Sequence, residues 1–283
     1  MNHSKRWIIP PQLTPQANAE LAAHPPVLRQ ILFNRGIGSR DAANSFLRAD
    51  LTFDNDPFTM KDMDKAVARI QRALANSEQI AIYGDYDVDG VTATALLVQG
   101  LRALGGTVRE YIPNRFEEGY GLNNEALDTL LSEGVSLVIS VDCGIRSPLE
   151  AEHAREIGLD LIITDHHEPS GDIPNALAVI NPKQPGDEYP EKYLAGVGIA
   201  YKIIVALCKA TQRANLEPTS LLDLVALGTV ADLAPLTGEN RYLVRGGLRQ
   251  MRQSARQGLL SLAAVSDISL QKVTAINIGF ALG

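Results

Sequence analysis

The sequence predicts an α/β protein with a Rossmann-like, mainly parallel β-sheet flanked by helices and a helical C-terminal part. Short apolar runs alternate with longer segments of helical periodicity between residues 79 and 181, a pattern typical of parallel strands joined by helical crossovers. Three of these runs, 80–83, 137–141 and 161–164, lead directly or after one glycine into acidic residues or histidine. From Gly196 onward the pattern is helical.

Local patterns justify each element in turn. Residues 1–27 are rich in Pro and Ala and predict an extended lead-in, and Ser39 is placed to cap a short helix through Leu47. Apolar residues recur at helical spacing over 62–77. The predicted elements that follow are, in order, strand 79–83, helix 91–104, strand 107–112, helix 123–132, strand 136–141, helix 147–157, strand 159–164, a short strand over 178–181, and helices 197–213, 219–230 and 240–254.

Length and composition set the domain organisation. The chain has 283 residues, of which 45% are hydrophobic, enough for a sizeable core. We expect an N-terminal lead-in with short helices over 1–60, the main α/β domain over 61–235, and a helical segment over 236–283 that leads to a second domain beyond this chain. There is no long apolar run or signal-peptide pattern, and there are only two cysteines, so we expect no membrane contact and a reducing cytoplasm.

The charge is unevenly distributed. A net charge of −7 argues mildly against general nucleic-acid binding, although bound cations would reverse the sign of an acidic cluster. Residues 241–283 carry six basic residues and one acidic residue. Five of the basic residues recur at helical spacing, which fits either a nucleic-acid-binding stripe or a solvated helix face. These five are Arg241, Arg245, Arg249, Arg252 and Arg256.

Acidic residues follow the predicted strands. Asp85, Asp87 and Asp89 alternate after the first strand, and Asp142 follows the third. The carboxyl ends of parallel strands meet at one edge of a sheet, where these carboxylates would repel one another unless cations lay between them. The pattern therefore predicts hard divalent metals. An EF-hand is excluded because its twelfth position would be Leu96 and a strand precedes the loop. Capping of the helix by Asp89 would explain only one of the acids.

Adjacent imidazoles follow the fourth strand, in Asp165-His166-His167. Imidazole is a common ligand of transition metals. Because neighbours on an extended backbone point to opposite sides, we expect one histidine to bind metal and the other to face substrate. Cys143 has no Cys–His pairing motif around it, so we expect a packed residue rather than a nucleophile.

Two further segments carry candidate substrate-binding residues. Gly196 and Gly198 open a predicted helix and would present backbone N–H groups to a phosphate, although a tight turn explains them equally well. Arg115 lies in the loop after the second strand and would pair with phosphate. Phe116 and Tyr120, in the same loop, would stack on bases or pack internally.

Taken together, these motifs resemble the DHH phosphoesterase superfamily. The strings that carry the resemblance are Gly84-Asp85-Tyr86-Asp87-Val88-Asp89-Gly90, Val141-Asp142, Asp165-His166-His167, Leu194-Ala195-Gly196-Val197-Gly198 and Leu224 through Asp232. Together with Pro113-Asn114-Arg115-Phe116 and Gly119-Tyr120-Gly121-Leu122, they are most similar to its bacterial single-strand-specific exonucleases. The resemblance covers roughly residue 30 to the end of the chain.

The resemblance implies a site with two Mn²⁺ or Mg²⁺ ions. The implied metal ligands are Asp87, Asp89, Asp142, His166 and Asp232, with Asp85 as an extra ligand or supporting residue. Asp142 would bridge the two ions, His167 would contact the scissile phosphate, and Arg115 would take up further charge. Gly196, Gly198, Arg115 and Tyr120 are the candidate substrate-binding residues.

The implied activity is 5′→3′ exonuclease action on single-stranded DNA that releases 5′-mononucleotides in DNA repair and recombination. The implied partners are single-stranded DNA, a single-strand-binding protein and a helicase, and we expect a monomer. Two alternatives stay open: a phosphodiesterase of the same superfamily acting on short oligonucleotides, cyclic dinucleotides or pyrophosphate, and an inactive replication scaffold. Because nothing in the chain supplies the far wall of a DNA cleft, we expect weak activity from the chain alone.

Overall fold

The structure is a computed structural model that describes residues 8–48, 55–211 and 216–283. Contacts between Cα atoms divide the chain into two units, Met1–Thr52 and Phe53–Gly283. The three-part division at residues 60 and 235 stays a prediction.

The N-terminal unit contains three short helices, α1 (Pro15–Glu20), α2 (Pro26–Phe33) and α3 (Arg40–Arg48). The predicted extended lead-in is wrong where α1 and the start of α2 lie, and its residues 1–7 fall outside the described part of the chain. Both helices begin with proline, whose missing N–H costs nothing at that position. The helix predicted from Ser39 to Leu47 is confirmed as α3.

The second unit is built on a five-stranded sheet in the order β2-β1-β3-β4-β5, in which every neighbouring pair is parallel. This confirms the predicted α/β class and mainly parallel sheet. The strands are β1 (Gln79–Gly84), β2 (Thr107–Tyr111), β3 (Val135–Val141), β4 (Asp160–Thr164) and β5 (Ala178–Ile180).

Helices cover both faces of this sheet. Ile80 and Ile82 of β1 pack into one apolar cluster with helices α4, α5 and α8, whereas Ala81 and Tyr83 pack into another with α6 and α7. This alternation follows from the two-residue period of a strand buried on both faces. The helices of this unit are α4 (Met63–Ala75), α5 (Val88–Ala103), α6 (Asn124–Ser132), α7 (Pro148–Glu156), α8 (Gly196–Thr211), α9 (Leu222–Ala231), α10 (Gly238–Met251), α11 (Gln257–Val265) and α12 (Ala275–Asn277).

Two helix boundaries differ from the prediction with consequences for the site. Helix α5 begins at Val88 rather than at residue 91, and its N-cap is Asp87, whose Oδ1 accepts a 2.9 Å hydrogen bond from the Gly90 N–H. The alternative interpretation of Asp89 as the cap of this helix is therefore wrong. Helix α8 begins at Gly196, one residue earlier than predicted, and residues 212–213 of the predicted helix lie outside the described residues.

The five arginines that fit either a nucleic-acid-binding stripe or a solvated helix face do not all lie on one helix. Helix α10 ends at Met251 rather than at residue 254, so Arg252 and Arg256 lie beyond it. Arg252 donates to the Val273 carbonyl, and Arg256 pairs with the buried carboxylate of Asp223, with 3.0 Å between Nε and Oδ2. These two arginines hold the C-terminal helices together, which rules out a single nucleic-acid-binding stripe along one helix.

Among the helices of the described residues, none is long and apolar enough to cross a membrane.

Candidate metal centre

Acidic and imidazole side chains meet at the carboxyl edge of the sheet. Because all five strands are parallel, the residues after β1, β3 and β4 emerge on the same side, and Asp232 arrives from the end of α9. Three overlapping groups have potential ligand atoms within 4.8 Å of one another: Asp142 with His166 and His167, Asp89 with His166 and Asp232, and Asp85 with Asp87 and Asp142.

Asp142 and His166 form the centre of this cluster. Asp142 Oδ1 lies 3.0 Å from His166 Nε2, yet both atoms are buried and neither has a hydrogen-bond partner among the described residues. The same Nε2 lies 3.8 Å from Asp89 Oδ2 and 3.9 Å from Asp232 Oδ2. Buried polar atoms normally have a partner, so the arrangement leaves several ligand atoms facing a common space.

Backbone geometry fixes Asp142 in place. The residue is 1% exposed and has a φ of 61°, a left-handed conformation that Asp tolerates better than most residues. Its N–H donates to the Thr164 carbonyl at 3.0 Å, which ties the end of β3 to the end of β4. A Cβ atom on Gly196 would lie 2.8 Å from the Asp142 Cβ, so only glycine lets the start of α8 approach this closely.

The start of α8 holds Asp89. Asp89 Oδ2 accepts the Gly196 N–H at 2.6 Å, and Oδ1 accepts the Val197 N–H at 2.9 Å. The backbone N–H groups that were expected to face a phosphate therefore bind a protein carboxylate, consistent with the preference of helix N-termini for anions. Gly196 and Gly198 are both buried, and this geometry does not support the prediction that they bind substrate.

Asp165, which is not among the predicted site residues, organises the histidine pair. Its buried Oδ1 accepts the backbone N–H groups of His166 and His167 and lies 2.7 Å from His167 Nδ1. These contacts turn the backbone, so the two rings lie on the same side, with centroids 4.5 Å apart. The expectation that they point to opposite sides is wrong because the segment is not extended. The signal in the sequence was its position, because Asp165 directly follows strand β4 just as Asp142 directly follows β3.

The electrostatics reflect crowded negative charge. Burial, with Asp87 and Asp165 nearby, raises the pKa of Asp142 to about 9. Burial also raises the pKa of Asp89, and the charge of Asp142 adds to this effect. The pKa of His167 is raised chiefly by its hydrogen bond to Asp165. A site of this kind disfavours several ionised carboxylates unless positive charge is supplied.

The donor set fits divalent cations. Carboxylate oxygens predominate and imidazole nitrogens complete the set, a combination that suits Mg²⁺ and Mn²⁺. The orphaned atoms of Asp142 and His166 and the raised carboxyl pKa values are both relieved by a cation between these groups. Cys143 takes no part, because it is buried and burial raises the pKa of its thiol, which confirms that it is a packed residue.

Aromatic and cationic side chains border the cluster on the β2 side. The Arg115 guanidinium carbon lies 4.9 Å from the centre of the Tyr86 ring, and the Tyr86 and Tyr120 ring centres are 6.3 Å apart. The Tyr120 hydroxyl donates to the Asp142 carbonyl at 3.5 Å. Phe116 is 95% exposed, which excludes its packing alternative. Tyr86, within the Asp-Tyr-Asp string, was missed because only the acids were considered.

A pocket of about 300 Å³ opens beside His167. Its walls include Tyr120, Arg146, Ser147 and Asp165. Its size is at the lower end of the range typical of small-molecule sites.

Comparison with known proteins gives a consistent set of relatives. The sequence model "DHH family, N-terminal domain" matches residues 79–229, about half of the chain. The single-stranded-DNA-specific exonuclease RecJ of Bacillus subtilis is 44% identical over 257 residues, which cover 91% of this chain and 32% of that protein. The crystal structure of RecJ from Thermus thermophilus in complex with Mn²⁺ has a TM-score of 0.78 and 32% identity, covering 97% of this chain and 38% of that one. The complex of the same protein with Mg²⁺ has a TM-score of 0.68 and 28% identity, covering 97% of this chain and 35% of that one. The chain spans 30–48% of the length of the curated RecJ relatives that it matches.

Proposed function

Because this chain belongs to the DHH family, we propose that it acts with two Mn²⁺ or Mg²⁺ ions as a 5′→3′ exonuclease on single-stranded DNA and releases 5′-mononucleotides. The observation that carries the proposal is the pair of buried atoms Asp142 Oδ1 and His166 Nε2, 3.0 Å apart and without hydrogen-bond partners in the described part of the chain. The similarity to RecJ proteins, two of whose structures hold Mn²⁺ or Mg²⁺, supports the choice of metal and substrate.

The proposed ligands form two sets, each of which would hold one ion, and Asp142 would contribute to both. Asp89, His166 and Asp232 face one part of the cluster, and Asp85 and Asp87 face the other. Asp142 belongs to groups on both sides, which supports its role as the bridge. When bound, the ions supply positive charge that stabilises the phosphoryl oxygens as bonds to phosphorus change.

The protein's own side chains would bind and orient the phosphate. Asp165 fixes His167 through Nδ1, which leaves Nε2 to donate to a non-bridging phosphate oxygen, and the raised pKa of His167 favours the protonated ring. Arg115 is exposed in the loop after β2 and would pair with phosphate through its planar guanidinium. Both cations would stabilise charge that develops on the oxygens.

The proposed reaction consumes one water molecule. The water oxygen forms a bond to phosphorus, the bond between phosphorus and the 3′-oxygen of the terminal nucleotide breaks, and that oxygen takes up a proton. The products are a 5′-mononucleotide and a strand shortened by one residue with a new 5′-phosphate. The described site needs no covalent intermediate on a side chain for this step.

Single-stranded substrate fits the border of the site. Tyr86 and Tyr120 present aromatic surface beside the cluster, and unpaired bases can stack on such surfaces. A base in a duplex would have to leave its stack first. We further propose that a single-strand-binding protein and a helicase, which hold or generate single strands, are the partner proteins, and that the chain works as a monomer in the cytoplasm.

The test compares Asp142→Asn with Asp128→Asn, an exposed aspartate that pairs with His153. Asparagine tolerates the left-handed backbone of residue 142, so the fold should survive. We expect Asp142→Asn to lower Mn²⁺-dependent release of mononucleotides from single-stranded DNA by more than about 10³-fold. It should also abolish the rise in Tm caused by Mn²⁺, whereas Asp128→Asn should retain both properties.

The preferred substrate and the direction of cleavage along the strand are tested with the protein of unaltered sequence. Strands labelled at the 5′ end should lose label first, and long single strands should be cleaved faster than dinucleotides or duplexes. Faster cleavage of dinucleotides would assign the site to the small-substrate members of the superfamily. Full activity of Asp142→Asn, or the absence of any Mn²⁺ binding by the original protein, would contradict the proposed metal site.

A further inference from the structure

A second cation–aromatic pair lies at the other end of the carboxyl edge, after β5. Lys183 Nζ lies 5.8 Å from the centre of the Tyr193 ring. We propose that Lys183 binds a backbone phosphate and that Tyr193 stacks on a base of the same nucleic-acid strand. This inference rests on the proposed function and names a strand-binding contact that lies outside the metal cluster.

The backbone around Lys183 is tied to the histidine segment. Asn181, which follows β5, is fully buried, and its Nδ2 donates to the His167 carbonyl at 2.9 Å. Its Oδ1 accepts the Lys183 N–H at 2.9 Å. A single buried amide therefore sets the position of Lys183 relative to His167.

Tyr193 is also attached to the site. Its carbonyl accepts a 2.5 Å hydrogen bond from Asn240 Nδ2, and three residues later the Gly196 N–H binds Asp89. The Tyr193 side chain is nevertheless 56% exposed. The ring thus stands on a fixed backbone beside the cluster with its surface available to a ligand.

The Lys183 ammonium has one anionic partner among the described residues. Lys183 forms an ion pair with Glu168, with 3.5 Å between Nζ and Oε1. The Glu168 side chain is 71% exposed, against 18% for Lys183, and an ion pair with an exposed partner contributes little free energy. A backbone phosphate, which carries the same single negative charge, can therefore take the place of Glu168.

Each end of the carboxyl edge has a cation packed against an aromatic ring. Arg115 lies against Tyr86 in the region of β2 and β1, and Lys183 lies against Tyr193 beyond β5. Four strand spacings separate β2 from β5, a span of about 19 Å. A single strand laid along this edge would cross the metal cluster at the middle and meet a cation and an aromatic ring at each end, the combination typical of single-strand binding.

The test measures binding of a fluorescent single-stranded oligonucleotide by anisotropy in the presence of EDTA, so that the result does not depend on metal or cleavage. The variants are Lys183→Met, Lys183→Arg and Tyr193→Leu. Lys209→Met is the matched control, since Lys209 lies near the far end of α8, about 20 Å from Gly196. Far-ultraviolet circular dichroism and Tm establish that each variant is folded.

We expect Lys183→Met to weaken binding about tenfold and to reduce the slope of log K against log salt by about 0.7, the value of one phosphate contact on a single strand. Lys183→Arg should restore most of the affinity. Tyr193→Leu should weaken binding at least about fivefold with an unchanged salt slope, because base stacking involves no charge. Lys209→Met should match the original protein.

Three outcomes would overturn the inference. If Lys183→Met binds single strands as tightly as Lys209→Met, and the original protein binds and cleaves them, the proposed Lys183 contact does not exist and the proposed function is unaffected. Loss of affinity without a change in the salt slope would show that Lys183 acts through structure rather than through phosphate. A protein that neither binds nor cleaves single strands would remove the proposed function and this inference together.

Discussion

The two edges of the sheet differ in whether their charged side chains are paired with opposite charges. At the amino edge, acidic residues at or near the starts of β1 and β4 meet arginine. At the carboxyl edge, Asp89, Asp142 and Asp232 surround a single imidazole, His166. The same parallel strands therefore end in one region where charges are paired and in another where they repel. Stability is concentrated in the first region, and the second has an arrangement that binding of cations would stabilise.

Arg69 of α4 is the centre of the amino edge. Its Nε donates to Asp160 Oδ2 at 2.5 Å, and its Nη2 donates to Glu78 Oε2 at 2.6 Å and to the Ser136 carbonyl at 3.3 Å. The residues that it contacts precede or belong to β1, β3 and β4. One buried guanidinium thereby joins a helix to three strands through Nε and Nη2, while its buried Nη1 has no hydrogen-bond partner among the described residues.

The largest stability effect is expected from breaking this arginine contact. Arg69→Met removes the buried donor that two carboxylates and a carbonyl share, while Asp160 keeps Arg72 and Glu78 keeps Asn76 and Ser136. We expect the free energy of unfolding to fall by about 3 kcal/mol. Arg72→Met is the matched control, because Arg72 pairs with the same Asp160 but its side chain is 58% exposed, against 4% for Arg69. Its loss should cost less than about 1 kcal/mol. Urea denaturation measures both, and equal losses would contradict the assignment of stability to the buried contact.

The difference between the edges also explains what sequence could predict. The alternating strands, their parallel order and the acids after β1, β3 and β4 are local patterns, and the structure confirms the elements that they predict. Asp232 was identified by its motif, and its apolar run forms helix α9, in agreement with the helix predicted over 219–230. The amino-edge network was not predicted, because Arg69, Glu78 and Asp160 are separated along the chain and no local pattern marks a long-range ion pair.

Within the site, the sequence located acids but not their roles. Asp87 caps α5 as well as facing the cluster, and the start of α8 binds Asp89 instead of a phosphate. The cap is a local contact between Asp87 and Gly90, whereas the binding of Asp89 depends on how α5 and α8 approach each other, which tertiary packing decides. The extended backbone assumed for His166 and His167 is wrong for a local reason, since the side chain of the preceding residue, Asp165, accepts both of their N–H groups and turns the backbone.

A smaller effect, on activity rather than stability, is expected from Asp165→Asn. The amide oxygen can still accept the backbone N–H groups of His166 and His167, but the charge that orients the His167 ring is lost. We expect cleavage of single-stranded DNA to fall about 10- to 100-fold, the usual effect of a residue that supports a ligand or catalytic group. The pKa of His167, measured by NMR titration, should fall towards its ordinary value.

The control for this change is Asp128→Asn, which neutralises an exposed aspartate paired with another histidine. It should leave both the cleavage rate and the His167 titration unaltered. If Asp165→Asn lowers Tm by many degrees while His167 titrates as before, Asp165 belongs with the stabilising contacts of the amino edge, and the division between the two edges fails at that residue.

The smallest effect expected is an opposite response of the two edges to pH. Burial tends to raise the pKa of Glu78, but hydrogen bonds from Asn76, Arg69 and Ser136 outweigh it, and the pKa is lowered. A lowered pKa stabilises the fold above the unfolded-state pKa, and that stabilisation is lost as pH falls through the folded-state value. Asp142 behaves in reverse: its pKa is raised to about 9 by burial and by Asp87 and Asp165, so without metal its contribution is lost as pH rises towards that value.

Removing the acidic group of Glu78 at the amino edge and that of Asp142 at the carboxyl edge should therefore change the free energy of unfolding in opposite directions. In EDTA at pH 7, we expect Glu78→Gln to lower the free energy of unfolding by about 1 kcal/mol and Asp142→Asn to raise it by at least about 1 kcal/mol. The second effect arises because Asp142 must take up a proton when the metal-free protein folds at pH 7, whereas asparagine is neutral in both states. Both differences should shrink near pH 4, and saturating Mn²⁺ should reverse the second by stabilising only the protein that retains Asp142. If Asp142→Asn destabilises the metal-free protein at pH 7, the side chains at the carboxyl edge do not repel one another enough to lower the stability of the fold. A metal ion would then not be needed to explain the unpaired atoms of Asp142 and His166.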